Sequence, residues 1–207
     1  MREWGLKWSG LRVTIITDYP ELTPSLEKQL GHMPNVQVNI CTLKQLREYP
    51  YSVDEQSDVI LASAEDGQKL SLLLPDSDKL IRIAFRTQEK SIIALSGIQT
   101  ERIAVLCEDD GAFADLVRRH LPEHMQSGVK ALTGTGDALH EQDVLIIAQG
   151  ALEKAAPEIA EPIRQFARTK PVIEFACGLD EGSMLYLEER IARIRDERQL
   201  WPNALRF

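Results

Sequence analysis

At residues 102–111 the chain reads Arg102-Ile103-Ala104-Val105-Leu106-Cys107-Glu108-Asp109-Asp110-Gly111, and this stretch decides the fold. Its apolar run predicts a strand buried on both faces, as in a parallel sheet covered by helices. The acidic residues and the glycine that follow predict the start of a helix. A similar run, Arg12-Val13-Thr14-Ile15-Ile16-Thr17-Asp18, stands 90 positions earlier. The chain therefore looks like one α/β unit used twice.

The two halves of the chain repeat at nearly constant spacing. Positions of the first half recur in the second half in the same order, and the spacing changes only in the connecting segments. The matched positions are Val13 with Ile103, Leu26 with Leu116, Asp58-Val59-Ile60-Leu61 with Asp143-Val144-Leu145-Ile146, and Lys79 with Lys170. Order and spacing together favour an internal duplication over a chance likeness between two βαβ runs.

Each half predicts four strands separated by helices. The predicted strands are Leu11–Thr17, Val36–Ile40, Asp58–Ser63, Lys79–Phe85, Arg102–Cys107, Val129–Leu132, Asp143–Ile147 and Pro171–Phe175. The predicted helices begin after Thr23 and Asp110 or cover Leu43–Tyr49, Glu65–Leu74, Gln88–Leu95, Asp137–His140, Ala151–Phe166 and Glu181–Gln199. This alternation predicts an α/β fold of two pseudo-symmetric Rossmann-like lobes, each with a parallel sheet.

The domain boundaries follow from that repeat. Residues 11–97 form lobe 1 with its crossover helix, and residues 98–180 form lobe 2. Residues 181–207 form a C-terminal helix and tail, and we interpret residues 1–10 as a linker stub or tail.

Composition narrows the functional classes. The 207 residues carry a net charge of −8, which repels a phosphate backbone, so we do not expect this chain to bind nucleic acid by itself. No apolar run approaches the ~18 residues that a membrane span needs, and the N-terminus has no signal-peptide pattern. The three cysteines form no CxxC pair and favour a reducing cytoplasm over a disulfide framework.

Ligands of open α/β sheets bind beyond the carboxyl ends of the strands. Two lobes that face one another would place those ends along one inter-lobe cleft, which predicts a small-molecule site there. We assign it no catalytic residue, metal or cofactor. The expected ligand-binding residues are Thr17, Asp18, Tyr19, Ser63, Glu65, Arg86, Thr87, Cys107, Glu108, Asp109, Thr133, Gln149, Gly150 and Cys177.

The charge of the ligand stays open at this point. Arg86 ends an apolar strand, where a guanidinium could bind a carboxylate or phosphate at two points, or else pair with Asp18 or Glu108. Helix starts at Thr23 and Asp110 favour an anion. The carboxylates expected in the cleft favour a cation or hydroxyl groups instead.

Two other interpretations concern catalysis and metal binding. Cys107 stands between a strand and a helix start, where its thiolate would be stabilised, so a cofactor-independent racemase or isomerase is the alternative function. Two-lobed racemases use one cysteine per lobe, but the counterpart of Cys107 is Thr17.

His120 and His124 have helical metal-ligand spacing, but Pro122 lies between them and no further ligand completes a set.

The pattern of Asp58–Ser63, Leu72-Leu73-Leu74-Pro75, Lys79–Phe85, Arg102–Glu108 and Pro171–Asp180 resembles a known family. It is similar to the C-terminal effector domains of GntR-type bacterial transcription regulators, which are built like small periplasmic-binding-protein modules. The resemblance covers roughly residues 11–195. It implies binding of a small effector, control of transcription as a homodimer, and DNA contact only through a winged-helix domain that this chain lacks.

Overall fold

A computed structural model describes residues 10–63, 70–74, 76–108 and 111–204 of the chain. Half of the predicted helix Glu65–Leu74, residues 65–69, lies outside the described residues, as do two of the expected ligand-binding residues, Glu65 and Asp109. The described chain alternates strands and helices throughout its length. It therefore has the α/β organisation that the sequence predicts.

The strands are short and follow the predicted positions closely. They are β1 (Leu11–Ile16), β2 (Val36–Cys41), β3 (Val59–Ser63), β4 (Leu80–Ile83), β5 (Phe85–Thr87), β6 (Ile103–Leu106), β7 (Val129–Leu132), β8 (Val144–Ala148), β9 (Val172–Phe175) and β10 (Cys177–Leu179). Apart from the half-buried Ser63, the inner strands β3 and β8 consist of apolar residues, and all of these are buried. Such runs are typical of parallel strands that are covered on both faces.

The helices stand between these strands. They are α1 (Thr23–Leu30), α2 (Leu43–Glu48), α3 (Pro50–Glu55), α4 (Glu89–Ser96), α5 (Ala112–Arg118), α6 (Glu123–Gln126), α7 (Asp137–His140), α8 (Ala151–Lys154), α9 (Pro157–Phe166) and α10 (Glu181–Ala204). Short 3-10 helices precede α1 at Pro20–Leu22 and precede β4 at Ser77–Lys79. Within the described residues, no helix combines the length and the apolar character needed to cross a membrane.

Two four-stranded parallel sheets have the same strand order. The first sheet has the order β2-β1-β3-β4, and the second sheet has the order β7-β6-β8-β9. In each sheet the first strand along the chain lies second in space, between the second and third strands. The α/β class with two parallel, Rossmann-like sheets is thus confirmed, and β5 pairs separately with β10.

Equivalent residues of the two sheets have equivalent partners on the neighbouring strands. Val13 of β1 lies opposite Val38 and Val59 on its two neighbours. Its counterpart in the repeat, Ile103 of β6, lies opposite Val129 and Val144 in the same way. The matching predicted for Val13 with Ile103 and for the segments that begin at Asp58 and Asp143 is therefore confirmed.

The chain forms two compact units, each assembled from separate segments. The first unit contains residues up to Thr17, Leu30–Ala84 and the chain from Leu179 onward, and so holds the first sheet and α10. The second unit contains Asp18–Gln29 and Phe85–Gly178, and so holds the second sheet. The predicted lobes 11–97 and 98–180 are each continuous in sequence. The units are not, because segment 18–29, which carries most of α1, belongs to the second unit.

Three predicted elements differ in the structure. The predicted helix Ala151–Phe166 is two helices, because Pro157 disfavours helical backbone at Ala156 and starts α9 at its first turn. The predicted strand Lys79–Phe85 is interrupted at Ala84, where the chain leaves the first sheet. The turn predicted at Cys177-Gly178 is instead the beginning of β10.

Each unit has its own apolar core. In the first unit, Ile16, Ile60, Leu46 and Leu74 are among the residues that pack together. In the second unit, the buried residues Ala104, Leu139, Leu145, Ile147, Ile163 and Phe166 form the corresponding cluster. The strands of each sheet are thereby fixed, so the residues that follow their carboxyl ends have a rigid support.

Candidate functional site

The second sheet places several polar groups of the second unit near the carboxyl ends of its strands. We call this region the carboxyl edge, and it comprises the residues that follow β6, β8 and β9 together with the side chains bound to them. Open parallel sheets bind ligands at this edge. The contacts of the carboxyl edge all lie within the second unit.

Glu21 binds the turn that follows β6. Its Oε1 accepts a hydrogen bond from the backbone N–H of Glu108 at 2.9 Å, although the two residues are 87 positions apart. Glu21 is only 5% exposed, and it stands in the short 3-10 helix before α1. A carboxylate thus lies buried at the end of the first strand of this sheet.

Two serines bind the backbone that joins β9 to β10. Ser25 of α1 donates its hydroxyl to the carbonyl of Cys177 at 2.8 Å. Ser91 of α4 accepts a hydrogen bond from the N–H of Ala176 at 3.0 Å and is completely buried. Because both hydroxyls satisfy buried backbone groups, they fix the position of residues 176–177 at the carboxyl edge.

Thr87 connects a thiol with an imidazole. Its hydroxyl lies 2.9 Å from Nε2 of His120 and 3.4 Å from Sγ of Cys177. Burial raises the pKa of the Cys177 thiol, with an opposing contribution from the Thr87 hydrogen bond. His120 is an exposed residue, but partial burial of its ring lowers its pKa, and the neighbouring positive charge of Arg119 adds to this effect. The three side chains form a polar array in which the thiol is protonated.

Aromatic packing holds this array in place. The rings of Phe113 and Phe175 meet edge to face with their centroids 5.7 Å apart, and both side chains are completely buried. The imidazole of His120 also packs on Phe175, with the two ring centroids 5.7 Å apart. The orientation of His120 is therefore set both by Thr87 and by an apolar support.

Gly150 allows α1 to approach the end of β8 closely. It has a φ of +80°, a conformation that favours glycine, and a Cβ built on it would stand 3.1 Å from Cβ of Pro24. Next to this contact, Nζ of Lys154 forms an ion pair with Glu27 at 2.6 Å. Segment 18–29 is thus bound to the second unit at the ends of β6, β8 and β9.

The structure places the expected ligand-binding residues in both units. Thr17 is buried and Ser63 half-buried in the first unit, whereas the other described residues of that set belong to the second unit. Of these, Asp18, Arg86, Glu108 and Thr133 are exposed, Tyr19, Gln149 and Gly150 are half-buried, and Thr87, Cys107 and Cys177 are buried. That one ligand contacts both units stays a prediction.

Cys107 lies at the end of β6, as predicted, but it is a buried residue. Its side chain is 3% exposed, and its Sγ lies 3.6 Å from the carbonyl oxygen of Val105. Its backbone N–H donates to Leu132 and so continues the pairing of β6 with β7. The equivalent residue Thr17 donates in the same manner to Cys41, which matches the two positions in the repeat.

Sequence reasoning missed Glu21, Ser25 and Ser91, whereas its interpretation of His120 as a surface residue agrees with the exposed position of this histidine. A glutamate after a strand and small hydroxyl residues on helices are typical of solvated positions, so no local pattern distinguishes them. Glu21 and Ser91 are identified only by their hydrogen bonds to backbone N–H groups that lie 87 and 85 positions away in the sequence. Within the described residues, no group of three or more His, Cys, Asp or Glu side chains is placed to hold a metal ion.

Comparison with known proteins supports the fold. Residues 127–198 match a protein family described as the YmtS Rossmann-like domain. This range begins just before β7 and continues into α10, so it covers three strands of the second sheet. No curated protein matches the sequence.

One solved structure with partial similarity is an O-succinylbenzoate coenzyme A synthetase (MenE) from Bacillus subtilis in complex with AMP. The alignment covers 79% of this chain and 60% of that chain, with 13% sequence identity and a TM-score of 0.26. The present chain therefore spans less than two thirds of the synthetase. The resemblance to GntR-type effector domains stays a prediction beside these findings.

Proposed function

We propose that this protein is a non-catalytic small-molecule receptor that binds its ligand at the carboxyl edge of the second sheet. The observation that carries the proposal is the convergence of buried polar groups from segments far apart in sequence on this edge. Glu21, Ser25, Thr87 and Cys177 are each less than a tenth exposed. A rigid sheet that presents a few fixed polar groups is what small-molecule sites require.

The biological role that we propose is effector sensing for a bacterial transcription regulator in the cytoplasm. Its support is the resemblance of the sequence to GntR-type effector domains, together with the duplicated Rossmann-like sheets. The ligand would favour one conformation of the receptor by its differential affinity for two states. A homodimer, with DNA contact supplied by a separate winged-helix domain, completes the proposal.

The alternative of a racemase or isomerase that uses Cys107 has less support. Two-lobed racemases use one cysteine in each lobe, whereas the position equivalent to Cys107 in the first sheet is Thr17, which has the same backbone pairing. The proposed receptor needs no reactive group at that position.

Thermal unfolding in the presence of a metabolite panel tests the proposed function. A ligand that binds only the folded protein stabilises it by about 2.7 kcal/mol at a concentration 100 times its Kd. We expect at least one metabolite to raise the unfolding midpoint in a saturable manner. A folded sample that no metabolite of the panel stabilises would contradict the receptor function.

Two matched variants locate the binding site. Glu108→Gln removes an exposed charge after β6, at the carboxyl edge, and Glu141→Gln removes an exposed charge before β8, at the opposite edge. We expect Glu108→Gln to change the Kd of the metabolite and Glu141→Gln to leave it within about twofold of wild type. The reverse result would place the ligand at the wrong end of the sheet for this proposal.

A further inference from the structure

We propose that two copies of this chain associate through an apolar surface of the first unit, which we call the tyrosine–leucine surface. Four side chains define it, namely Tyr49, Tyr51, Leu72 and Leu73. This inference rests on the homodimer of the proposed function and assigns its contact to a place in the fold. The ligand site at the carboxyl edge of the second sheet does not enter the argument.

The four side chains lie over one part of the core of the first unit. The tyrosines stand where α2 meets α3, and the leucines stand in the turn before the 3-10 helix Ser77–Lys79. The residues that flank the two pairs in sequence pack together in a single cluster and are Leu46, Val53, Leu70 and Leu74. The two pairs are therefore neighbouring parts of one surface.

An ion pair joins the same two segments. Nζ of Lys79, at the end of that 3-10 helix, binds the carbonyl oxygen of Asp54 at 2.9 Å and its Oδ2 at 3.2 Å. Asp54 lies in α3, three residues after Tyr51, and is itself buried. The segment that carries the leucines is thus fixed beside the helix that carries Tyr51.

The exposed apolar area of this surface is large. Leu72 is 87% exposed, Tyr51 71%, Tyr49 64% and Leu73 39%. Because one large aromatic side chain covers ~150–250 Å², the four side chains together leave on the order of 500 Å² in contact with water. Single exposed apolar side chains need no explanation, whereas a patch of this size is typical of an interaction site.

That area suits a dimer of ordinary size. A stable interface buries ~800 Å² on each partner, and the four side chains supply a large part of it. Exposed polar residues of α2 and α3 supply the remainder, and they are Lys44, Gln45, Arg47, Glu48, Ser52 and Glu55. An apolar centre that contains tyrosine and has a polar rim is the usual composition of a protein interface.

The charges around the surface favour a second copy of the chain over a strongly charged partner. A two-fold contact brings the same surface to both sides, so each charge needs an opposite charge from the same set. The exposed charges of α2 and α3 are the basic Lys44 and Arg47 and the acidic Glu48 and Glu55. Although the chain carries a net charge of −8, this surface is balanced and does not repel its own copy.

Two further pairs of exposed apolar side chains occur in the described part of the chain. They are Ile92 with Ile93 on α4 and Leu185 with Tyr186 on α10. Each pair stands on a single helix and offers two side chains instead of four. These pairs supply less of the area that a dimer needs, so they provide matched control positions.

The experiment is analytical ultracentrifugation of the full chain over the micromolar concentration range. The variants are Leu72→Asp on the tyrosine–leucine surface and Ile93→Asp and Leu185→Asp as controls. All three replace an exposed apolar side chain with the same charge, so any general effect of added charge is equal. The thermal unfolding midpoint of each variant establishes that it is folded.

We expect the wild-type chain to dimerise with increasing concentration. We expect Leu72→Asp to raise the Kd of the dimer ~10-fold or more, because the charge lies at the centre of the contact, and the controls to stay within about twofold of wild type. A wild-type chain that stays monomeric, or a dimer that the controls weaken as much as Leu72→Asp does, would overturn the inference. Stabilisation by a metabolite is measured separately, so ligand binding can stand when this inference fails.

Discussion

The guanidinium of Arg102 binds both carboxylate oxygens of Asp143, with Nε 2.8 Å from Oδ2 and Nη2 2.7 Å from Oδ1. The first unit contains the same pair between Arg12 and Asp58, with the corresponding distances of 3.5 and 3.3 Å. In both units the aspartate N–H also donates to the arginine carbonyl. The internal repeat therefore extends from the strands to an ion pair that joins the start of the first strand to the start of the third.

The ion pair predicts a dependence of stability on pH. Hydrogen bonds from Arg102 and Thr100 hold the pKa of Asp143 below the usual aspartate range. A carboxyl group whose pKa is depressed by folding stabilises the native state above its unfolded pKa of about 3.9, and this contribution disappears as the pH falls through the folded value. We expect the loss of stability on acidification to be less steep in Asp143→Asn than in wild type.

The measurement is the unfolding midpoint of both proteins from neutral pH down to about pH 2.5, with Asp196→Asn, an exposed aspartate of α10, as the control. The wild-type advantage over Asp143→Asn should be constant above about pH 5 and should vanish at the acidic end. An advantage that persists unchanged to the lowest pH would contradict a role for the ionised carboxylate.

Much of the fold could be predicted because the governing signals are local. Apolar runs such as Ile103–Leu106 and the 90-residue spacing of Val13 and Ile103 predict two parallel sheets, but they do not give the order of the strands within each sheet. The division between β4 and β5 could not be predicted, since Leu80–Thr87 keeps strand character across Ala84. The chain changes sheets there because β10, far along the sequence, supplies a new partner.

The candidate site was less accessible to sequence reasoning. Thr87, Glu108, Gly150 and Cys177 could be placed at strand ends from the pattern alone. The position of Glu21 depends on segment 18–29 being part of the second unit. No sequence pattern within this segment indicates which unit it joins. One missed element did carry a signal, because Pro157 is favoured at the first turn of a helix and thus predicts the start of α9.

His120 predicts a second dependence of stability on pH. Folding favours the neutral form of this histidine, whereas it favours the charged form of Asp143. Burial and Arg119 lower its pKa, so the unfolded chain binds more protons than the native chain between the folded value and the ordinary value of about 6.5. Native stability should therefore rise with pH through this window and be complete above it. We expect the C–H resonance of His120 in NMR spectra to titrate below about pH 6.5.

Two variants separate the causes of that shift. His120→Gln identifies the resonance and should reduce the rise of stability with pH. Thr87→Val removes the hydroxyl that bonds Nε2 but leaves Phe175 and Arg119, so His120 should still titrate at low pH. A His120 resonance that titrates above about pH 7 in the wild-type protein would show that burial does not govern its charge.

Glycine substitutions test the close approach of α1 to the end of β8. Gly150→Ala should destabilise the protein by ~1–2 kcal/mol, because alanine disfavours the φ of +80° and its Cβ would be 3.1 Å from Pro24. Gly134→Ala is the control, since its added Cβ meets no atom within 4 Å and its φ is not positive. We expect that variant to be neutral or stabilised by up to ~1 kcal/mol.

Urea unfolding measures both changes in the free energy of unfolding. Equal effects of the two substitutions would indicate that the contact between Pro24 and Gly150 contributes nothing specific. Amide hydrogen exchange adds a local readout, in which α1 should lose protection in Gly150→Ala and keep it in Gly134→Ala.

The most direct test of the receptor function is amide chemical-shift mapping with the metabolite that stabilises the protein most. We predict that saturating ligand shifts the amides of Thr87, Glu108, Gln149 and Gly150, at the carboxyl edge of the second sheet. We also predict little change at Arg102 and Asp143, which lie at the opposite end of the same strands. Shifts centred on Arg102 and Asp143, with none at Glu108 and Gly150, would contradict ligand binding at the carboxyl edge.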